Sequence, residues 1–176
     1  MKKLFSEIPY IKGEGIVLRQ ITKDDADGLR RLVSSEKVYR YEPAFLFERK
    51  YPDVNQVIDR LYDECFRESI ILGVFEDDDF CGLAEFYGYC ENIHKISVGL
   101  RFLEDCWGKG LGTRALKLMV DYLYNETDIE IIAASSLPDN TGSANILRKN
   151  GFDLVVHNSD EDWGYEHPLP TDKWIK

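Results

Sequence analysis

The amino-acid sequence predicts an α/β domain whose helices are layered on a mixed, mostly antiparallel sheet. Two observations predict that class. Apolar residues alternate with polar ones in several short stretches, the mark of half-buried strands, and between them apolar residues recur at helical spacing. Their order along the chain is strand, two helices, three antiparallel strands, helix, strand, helix, then final strands. At 176 residues and 44% hydrophobic, the chain is long enough for one substantial core and too short for two ordinary domains, so residues 1–176 are expected to form a single domain.

Each element has a local reason. Residues 1–13 are expected to be a loose N-terminal arm. Ile16 to Ile21 alternates and reads as the first strand. Thr22, Asp24 and Asp25 supply capping chemistry for a helix from about Asp25 to Ser34, which buries Leu29, Leu32 and Val33. Val38 to Lys50, rich in Tyr and Phe and interrupted by Pro43, reads as a loop or short helical turn. Asp53 caps a second helix to about Glu68, with Val54, Val57, Ile58, Leu61, Cys65 and Phe66 inward. Ile70–Phe75 and Phe80–Tyr89 form a hairpin around the acidic turn Glu76–Asp79, and Cys90–Ile93 leads into the next strand. In that strand Ile96, Val98, Leu100 and Phe102 alternate with Ser97, Gly99 and Arg101. Leu111, Ala115, Leu118, Met119, Tyr122 and Leu123 mark one face of a long helix. Asn125–Asp128 breaks it. Ile129–Ser135 is a strand rich in β-branched residues. Pro138-Asp139-Asn140 opens a last helix, which stops at Gly151 with Lys149 in its final turn. Phe152–His157 is a strand, and a short final strand follows Pro168 and Pro170. There is no internal repeat, low-complexity tract or linker.

Composition excludes several function classes. The net charge of −10 leaves no basic face for nucleic acid, although it suits a cationic acceptor such as an amine. No apolar run has the length of a membrane helix, and Met1–Pro9 lacks the apolar core of a signal peptide, so a cytoplasmic protein is expected. Cys65, Cys81, Cys90 and Cys106 show neither metal-ligand nor redox spacing, and His94, His157 and His167 are scattered, so no metal is expected.

The sharpest local signal is Cys106-Trp107-Gly108-Lys109-Gly110-Leu111-Gly112-Thr113-Arg114, a glycine run between a strand and a helix. Glycines let a backbone approach a ligand, and the first N–H groups of a helix lack partners within it. Such a site favours an anion, phosphate above all. It is no Walker loop, because Gly108-Lys109 is followed by Gly110 rather than Ser or Thr. The dinucleotide fingerprint fails at Thr113. A plain tight turn stays open as the alternative.

A second segment, Asn140-Thr141-Gly142-Ser143-Ala144-Asn145-Ile146-Leu147-Arg148-Lys149-Asn150-Gly151-Phe152, accompanies the glycine run. Together they resemble the two hallmarks of the GCN5-related N-acetyltransferase (GNAT) superfamily, in the branch of ribosomal-protein N-terminal (RimJ/RimL-type) acetyltransferases. The clear resemblance covers roughly residues 70–155. It implies a central sheet of about seven strands flanked by about four helices, with splayed central parallel strands, and acetyl-CoA as co-substrate. It also implies that backbone groups from Gly108 to Thr113 (Gly108, Lys109, Gly110, Leu111, Gly112, Thr113) wrap the pyrophosphate beside Trp107, with Lys109 and Arg114 able to add charge. Leu100, Phe102 and Leu103 would border the pantetheine arm, with a backbone N–H near Leu100 or Arg101 polarising the thioester. Asn140 would contact that arm, or serve only as a helix N-cap.

For catalysis, Leu147 stands where many relatives carry a proton-donating Tyr, so the resemblance shifts the acid role to Ser143, whose alternative is cofactor contact alone. Glu85 is the candidate base, on a strand face with Leu83, Tyr87 and Tyr89. Its alternative is an ion pair with Arg101 on the next strand. His94 is a weak substitute, and Cys106 is assigned to packing. Tyr39, Tyr41 and Phe45 are candidates for lining the acceptor cleft, or core aromatics. The expected reaction is direct transfer of acetyl from acetyl-CoA to a primary amine, a protein N-terminus or small amine, by a monomer or homodimer without nucleic-acid or membrane partners. A non-catalytic acetyl-CoA-binding module is the alternative, and a nucleotide-binding protein with a glycine turn the third reading.

Overall fold

The computed structural model describes residues 4–176. Its strands are β1 (Ile11–Gly13), β2 (Ile16–Arg19), β3 (Ser69–Glu76), β4 (Asp79–Cys90), β5 (Lys95–Phe102), β6 (Ile131–Ser136), β7 (Asp153–Glu161) and β8 (Leu169–Ile175). They form one sheet in the order β1-β2-β3-β4-β5-β6-β8-β7. Every neighbouring pair is antiparallel except β5 and β6. The helices are α1 (Ala26–Val33), α2 (Glu36–Tyr39), α3 (Val54–Arg60), α4 (Leu111–Glu126) and α5 (Thr141–Lys149).

The sheet has one strand more than expected because the N-terminal arm is not loose. Residues 1–3 of that arm lie outside the described residues. Glu14 and Gly15 take φ of 53° and 77°, a two-residue turn with the hand that suits a hairpin, and it folds β1 back on β2. Leu4 and Ile11 are buried, and Phe5 packs against Phe66 and Tyr89. The extra helix is α2, a four-residue turn that runs into the start of the stretch read as a loop or short helical turn. The Ser35 hydroxyl caps it by accepting from the Val38 N–H at 3.3 Å. The second long helix ends early: after Arg60 it widens into a π turn over Leu61–Cys65. The Tyr62 hydroxyl on that turn accepts from the Ile21 N–H at 2.8 Å and donates to the Ile71 carbonyl at 2.9 Å.

The pleat sorts the core into two layers. Ile70, Leu72, Val74, Ala84, Phe86, Ile96, Val98 and Ile132 pack under Leu111, Ala115 and Met119 of α4 and Leu147 of α5. The opposite face presents Ile71 and Leu83 to Leu29 and Leu32 of α1 and Val57 and Ile58 of α3. That second face also carries two charged residues, Glu85 and Arg101, both buried. The alternation of β4 breaks at Gly88, where φ is 63° and the register shifts between Tyr87 and Cys90. Tyr89 therefore joins the α4 layer instead of the face it was expected to share with Leu83 and Glu85.

The β4–β5 pairing depends on a missing side chain. A Cβ at Gly82 would lie 2.1 Å from the Arg101 carbonyl oxygen and 2.9 Å from the Phe102 Cα. Backbone on both sides leaves nothing to rotate away. Gly82→Ala is expected to destabilise the fold by about 3 kcal/mol, read from the midpoint of urea unfolding.

Candidate active site

The parallel ladder between β5 and β6 is short. Lys95, Ile96 and Ser97 pair with Ile131, Ile132 and Ala133, and there it stops. Beyond that point β5 keeps only β4 as partner, out to Phe102, and β6 keeps only β8, out to Ser136. The two strands part, and a cavity of about 680 Å³ opens between them. Val98–Phe102 line one side, Ala134–Ser136 the other. The facing edges carry peptide groups without ladder partners, which is costly unless a bound molecule or water supplies them. An extended ligand with amide groups of its own matches this edge.

At one end of the cleft stands the N-terminus of α4. Gly108 and Gly110 adopt φ of 73° and 74°, the left-handed region, and open space surrounds the place where a Cβ would sit. They are glycines for conformation, not for lack of room. Gly112 is different: its Cβ would meet Ile146 Cδ1 at 2.5 Å, so it serves the close contact of α4 with α5. The first intrahelical bond runs from the Arg114 N–H to the Gly110 carbonyl at 3.1 Å. The N–H groups of Leu111, Gly112 and Thr113 precede it and are left over at the positive end of a sixteen-residue helix. Trp107 closes the turn by donating from Nε1 to the Phe102 carbonyl at 2.9 Å. Leu100, Phe102, Trp107, Gly108, Gly110, Leu111, Gly112 and Thr113 all border the cavity.

Across from them is the start of α5. Asn140 Oδ1 accepts from the Ser143 N–H at 3.1 Å, so its N-cap role is present, and both residues border the cavity. Ser143 is half-buried, and among the described residues its hydroxyl has no hydrogen-bond partner. Lys149, which the sequence marked only as a helix-end cation, also lines the cleft.

Three expected ligand contacts fall elsewhere. Leu103 is buried in the α1–α3 layer, and its N–H is spent on the Cys81 carbonyl at 2.9 Å. Lys109 borders an acidic groove shared with Asp77, Asp78 and Asp79 rather than the main cleft. Arg114 donates to the Glu14 carbonyl at 3.0 Å and pairs with Glu76 at 2.6 Å, which ties it to the β1–β2 turn. For Leu103 and Arg114 a local carbonyl or carboxylate partner, invisible as a spacing, takes the donor.

The other end of the cleft is acidic. Glu85 does not stand free as a base: its Oε2 accepts from Arg101 Nη2 at 2.9 Å, the cross-strand alternative. Arg101 Nε also lies 2.7 Å from Glu48 Oε1, and Nη1 lies 3.9 Å from Glu42 Oε2. Glu48 takes the Tyr39 hydroxyl as well, at 2.9 Å. Burial works against the Arg101 charge, but Glu48, Glu85 and Glu42 together hold its pKa well above the usual value. Burial pushes the Glu42 carboxyl up to about 8; Arg101 opposes that rise, and Glu48 and Glu85 add to it. Glu42 and Glu48 escaped the sequence reading because they sit in the irregular stretch between α2 and α3, where no periodicity points them anywhere.

The acidic end is roofed by two segments. Tyr41, Glu42, Pro43 and Phe45 come from the loop after α2, Glu161 from the end of β7, and Asp162 and Trp163 from the β7–β8 connection. The Ala44 N–H donates to the Trp163 carbonyl at 2.8 Å, and the Tyr165 hydroxyl donates to the Glu42 carbonyl at 2.7 Å. Tyr41 and Phe45 thus line the cleft as expected, while Tyr39 is a core residue. His94 lies 3.3 Å from Asp128 at the start of β5 and does not border the cleft.

Comparison with known proteins agrees with this geometry. A family model described as an acetyltransferase (GNAT) domain matches residues 16–153. The chain is 24% identical over 148 residues to the uncharacterized N-acetyltransferase YoaA of Bacillus subtilis, covering 82% of both. Spermidine N-acetyltransferase from Vibrio cholerae, solved with CoA and spermine, has the same fold with a TM-score of 0.76 at 15% identity, over 93% of this chain and 96% of that one. Mycobacterium smegmatis RimJ, in complex with CoA-disulfide, gives a TM-score of 0.79 at 16% identity, over 96% of this chain and 85% of that one.

Two stability measurements test the charge cluster. Arg101→Met strands Glu48 and Glu85 in the interior and is expected to cost about 3–5 kcal/mol in chemical denaturation. Glu42 gives a pH signature. Its folded pKa of about 8 lies above the ordinary 4.5, so across that window the folded protein keeps a proton that the unfolded chain has released. Its contribution to stability therefore falls as pH rises from about 4.5 to 8. Glu42→Gln cannot ionise, and its Tm should gain on that of the parent steadily through that window.

Proposed function

The chain belongs to the GNAT acetyltransferase family, and from that premise we propose that it carries the acetyl group of acetyl-CoA directly onto a primary amine, a small amine or a protein N-terminus. One observation carries this reading: a single cleft joins a helix N-terminus rich in unpaired N–H groups to an acidic pocket, past two unpaired strand edges. An anionic, amide-bearing cofactor suits the first end and the edges. A cationic acceptor suits the second, where Glu42, Glu85, Glu161 and Asp162 gather.

The site residues take these roles. The N–H groups from Gly108 to Thr113 hold the diphosphate, replacing in part the water it loses. Lys149 is the basic side chain at that end. The pantetheine arm completes the open edge of β5 as a further strand would, which sets the thioester beside Leu100 and Arg101 for polarisation by a backbone N–H. Holding both reactants in one cleft removes most of the entropic barrier to their meeting. Ser143 donates to the departing thiolate. Glu85 is reassigned from base to partner of Arg101, whose charge keeps the acidic end folded. No cysteine is needed as a nucleophile; burial pushes the Cys81 thiol up to about 11. The free cysteines fit a reducing cytoplasm. A monomer or a homodimer would each suit this reading, which calls on no residue of a second chain.

Acetyl-CoA is expected to raise Tm, and NAD and ATP are not. Gly110→Ala forces a Cβ into a left-handed conformation and should weaken acetyl-CoA binding roughly tenfold by calorimetry. Thiol release should then be measured against spermidine, putrescine, free amino acids and a Ser-initiated peptide. Release with at least one amine is expected; acetyl-CoA binding without release from any would make the protein a binding module. Ser143→Ala should lower turnover about tenfold with acetyl-CoA affinity retained.

A further inference from the structure

Three carboxyl groups converge on one guanidinium, and one of them is left over. Arg101 hydrogen-bonds Glu85 at 2.9 Å and faces Glu48 at 2.7 Å. Glu48 is sealed in the core at 1% exposure, so no substrate reaches it. Glu85 borders the cleft, but its Oε2 is committed to Arg101. Glu42 is the third. Its nearest oxygen stands 3.9 Å from Arg101 Nη1, beyond hydrogen-bond range, and among the described residues its carboxyl accepts no hydrogen bond. It also lines the cleft, and its backbone is pinned by Tyr165 and followed by Pro43, so the side chain is presented from a fixed point.

We propose that Glu42 is the catalytic base, the group that takes the proton from the acceptor's ammonium. This rests on the acetyl-transfer reading and names the residue that makes the amine reactive. The guanidinium already has two close carboxylates, and Glu42, at 3.9 Å, gains less from it. The groups that face it are Arg101 of β5, Glu85 and Tyr87 of β4, Glu48 and Tyr39, with Glu161 at the same end of the cleft. Burial, with Glu48 and Glu85 adding to it and Arg101 opposing it, brings Glu42 to about 8, in the range where a carboxylate can accept from an ammonium.

The step balances. The ammonium N–H bond breaks and a Glu42 O–H bond forms. The freed lone pair attacks the thioester carbon, and the C–N bond forms. As the adduct collapses the C–S bond breaks. The nitrogen's second proton makes good the one that the thiolate receives, and Glu42 passes the first to solvent. One proton is released overall for each acetyl transferred.

The test uses whichever amine of the panel turns over fastest, followed by thiol release from pH 5.5 to 9.5. In the parent protein kcat/KM should rise with pH and level off near 8. Glu42→Gln is isosteric with the protonated carboxyl and is expected to stay folded. It should lose kcat/KM roughly 100-fold. Its acetyl-CoA affinity should stay within about twofold, and it should lose the limb near pH 8. Glu42→Asp should restore part of the rate and move the limb. Carboxyl ¹³C NMR of the glutamate-labelled protein gives a readout without substrate: one signal titrating near 8 that is missing from Glu42→Gln. Turnover and limb both intact in Glu42→Gln would overturn the assignment and leave the transferase reading standing. Acetyl-CoA binding with no amine acetylated would overturn both.

Discussion

Everything the cleft does depends on two parallel strands failing to stay together. A sheet normally closes its ladder from end to end, since an unpaired peptide group away from water is expensive. Here β5 and β6 share only three residue pairs and then diverge, each held on its far side by an antiparallel neighbour. The divergence is stable because β4 and β8 grip β5 and β6 more extensively than the two grip each other. It leaves a strand edge in the middle of the molecule, where an extended ligand can dock, and it brings the start of α4 and the start of α5 to opposite lips of the same opening. A binding site made from backbone tolerates wide variation in side chains, which fits structural neighbours that share this fold at 15–16% identity.

The second constraint is charge. A chain of net charge −10 that binds a polyanion needs a local reversal of field. Side-chain cations supply little of it. Arg114 is spent on Glu14 and Glu76, and Lys109 turns to the acidic groove. On the proposed reading the helix N-terminus supplies it, because aligned peptide dipoles are fixed in place and cost no reorganisation. At the far end the logic inverts. Arg101 lies buried among Glu42, Glu48 and Glu85, and those carboxyl groups hold its charge against the cost of burial. The two ends of one cleft thus differ in charge, and on the proposed reading the cofactor takes the helix end and the acceptor the acidic one.

Much of the fold was legible in the sequence. The alternation of Ile96 to Phe102, the apolar face of Leu111 to Leu123 and the glycine run between them located β5, α4 and the turn that joins them, since local geometry and solvent exposure impose those periods directly. The departures came where the signal was not periodic. The turn at Glu14-Gly15 made a hairpin of an arm, and Gly88 moved Tyr89 to the other face of the sheet. Trp107, Gly108, Gly110, Asn140 and Ser143 border the cleft, while Leu103, Lys109 and Arg114 do not. A motif records positions along the chain; it does not say which carbonyl or carboxylate will compete for a donor.

By itself, then, the sequence determined the order and type of the elements, the glycine loop at a helix start and the acetyltransferase family, because each of these is written in contiguous residues and short periods. Only the tertiary structure decided how far β5 and β6 stay paired, and that Glu42 and Glu48 from one stretch and Glu85 from another meet around one arginine. Those outcomes depend on distances between segments far apart in the chain. Burial then sets the charges they carry, and neither distance nor burial exists until the chain has packed.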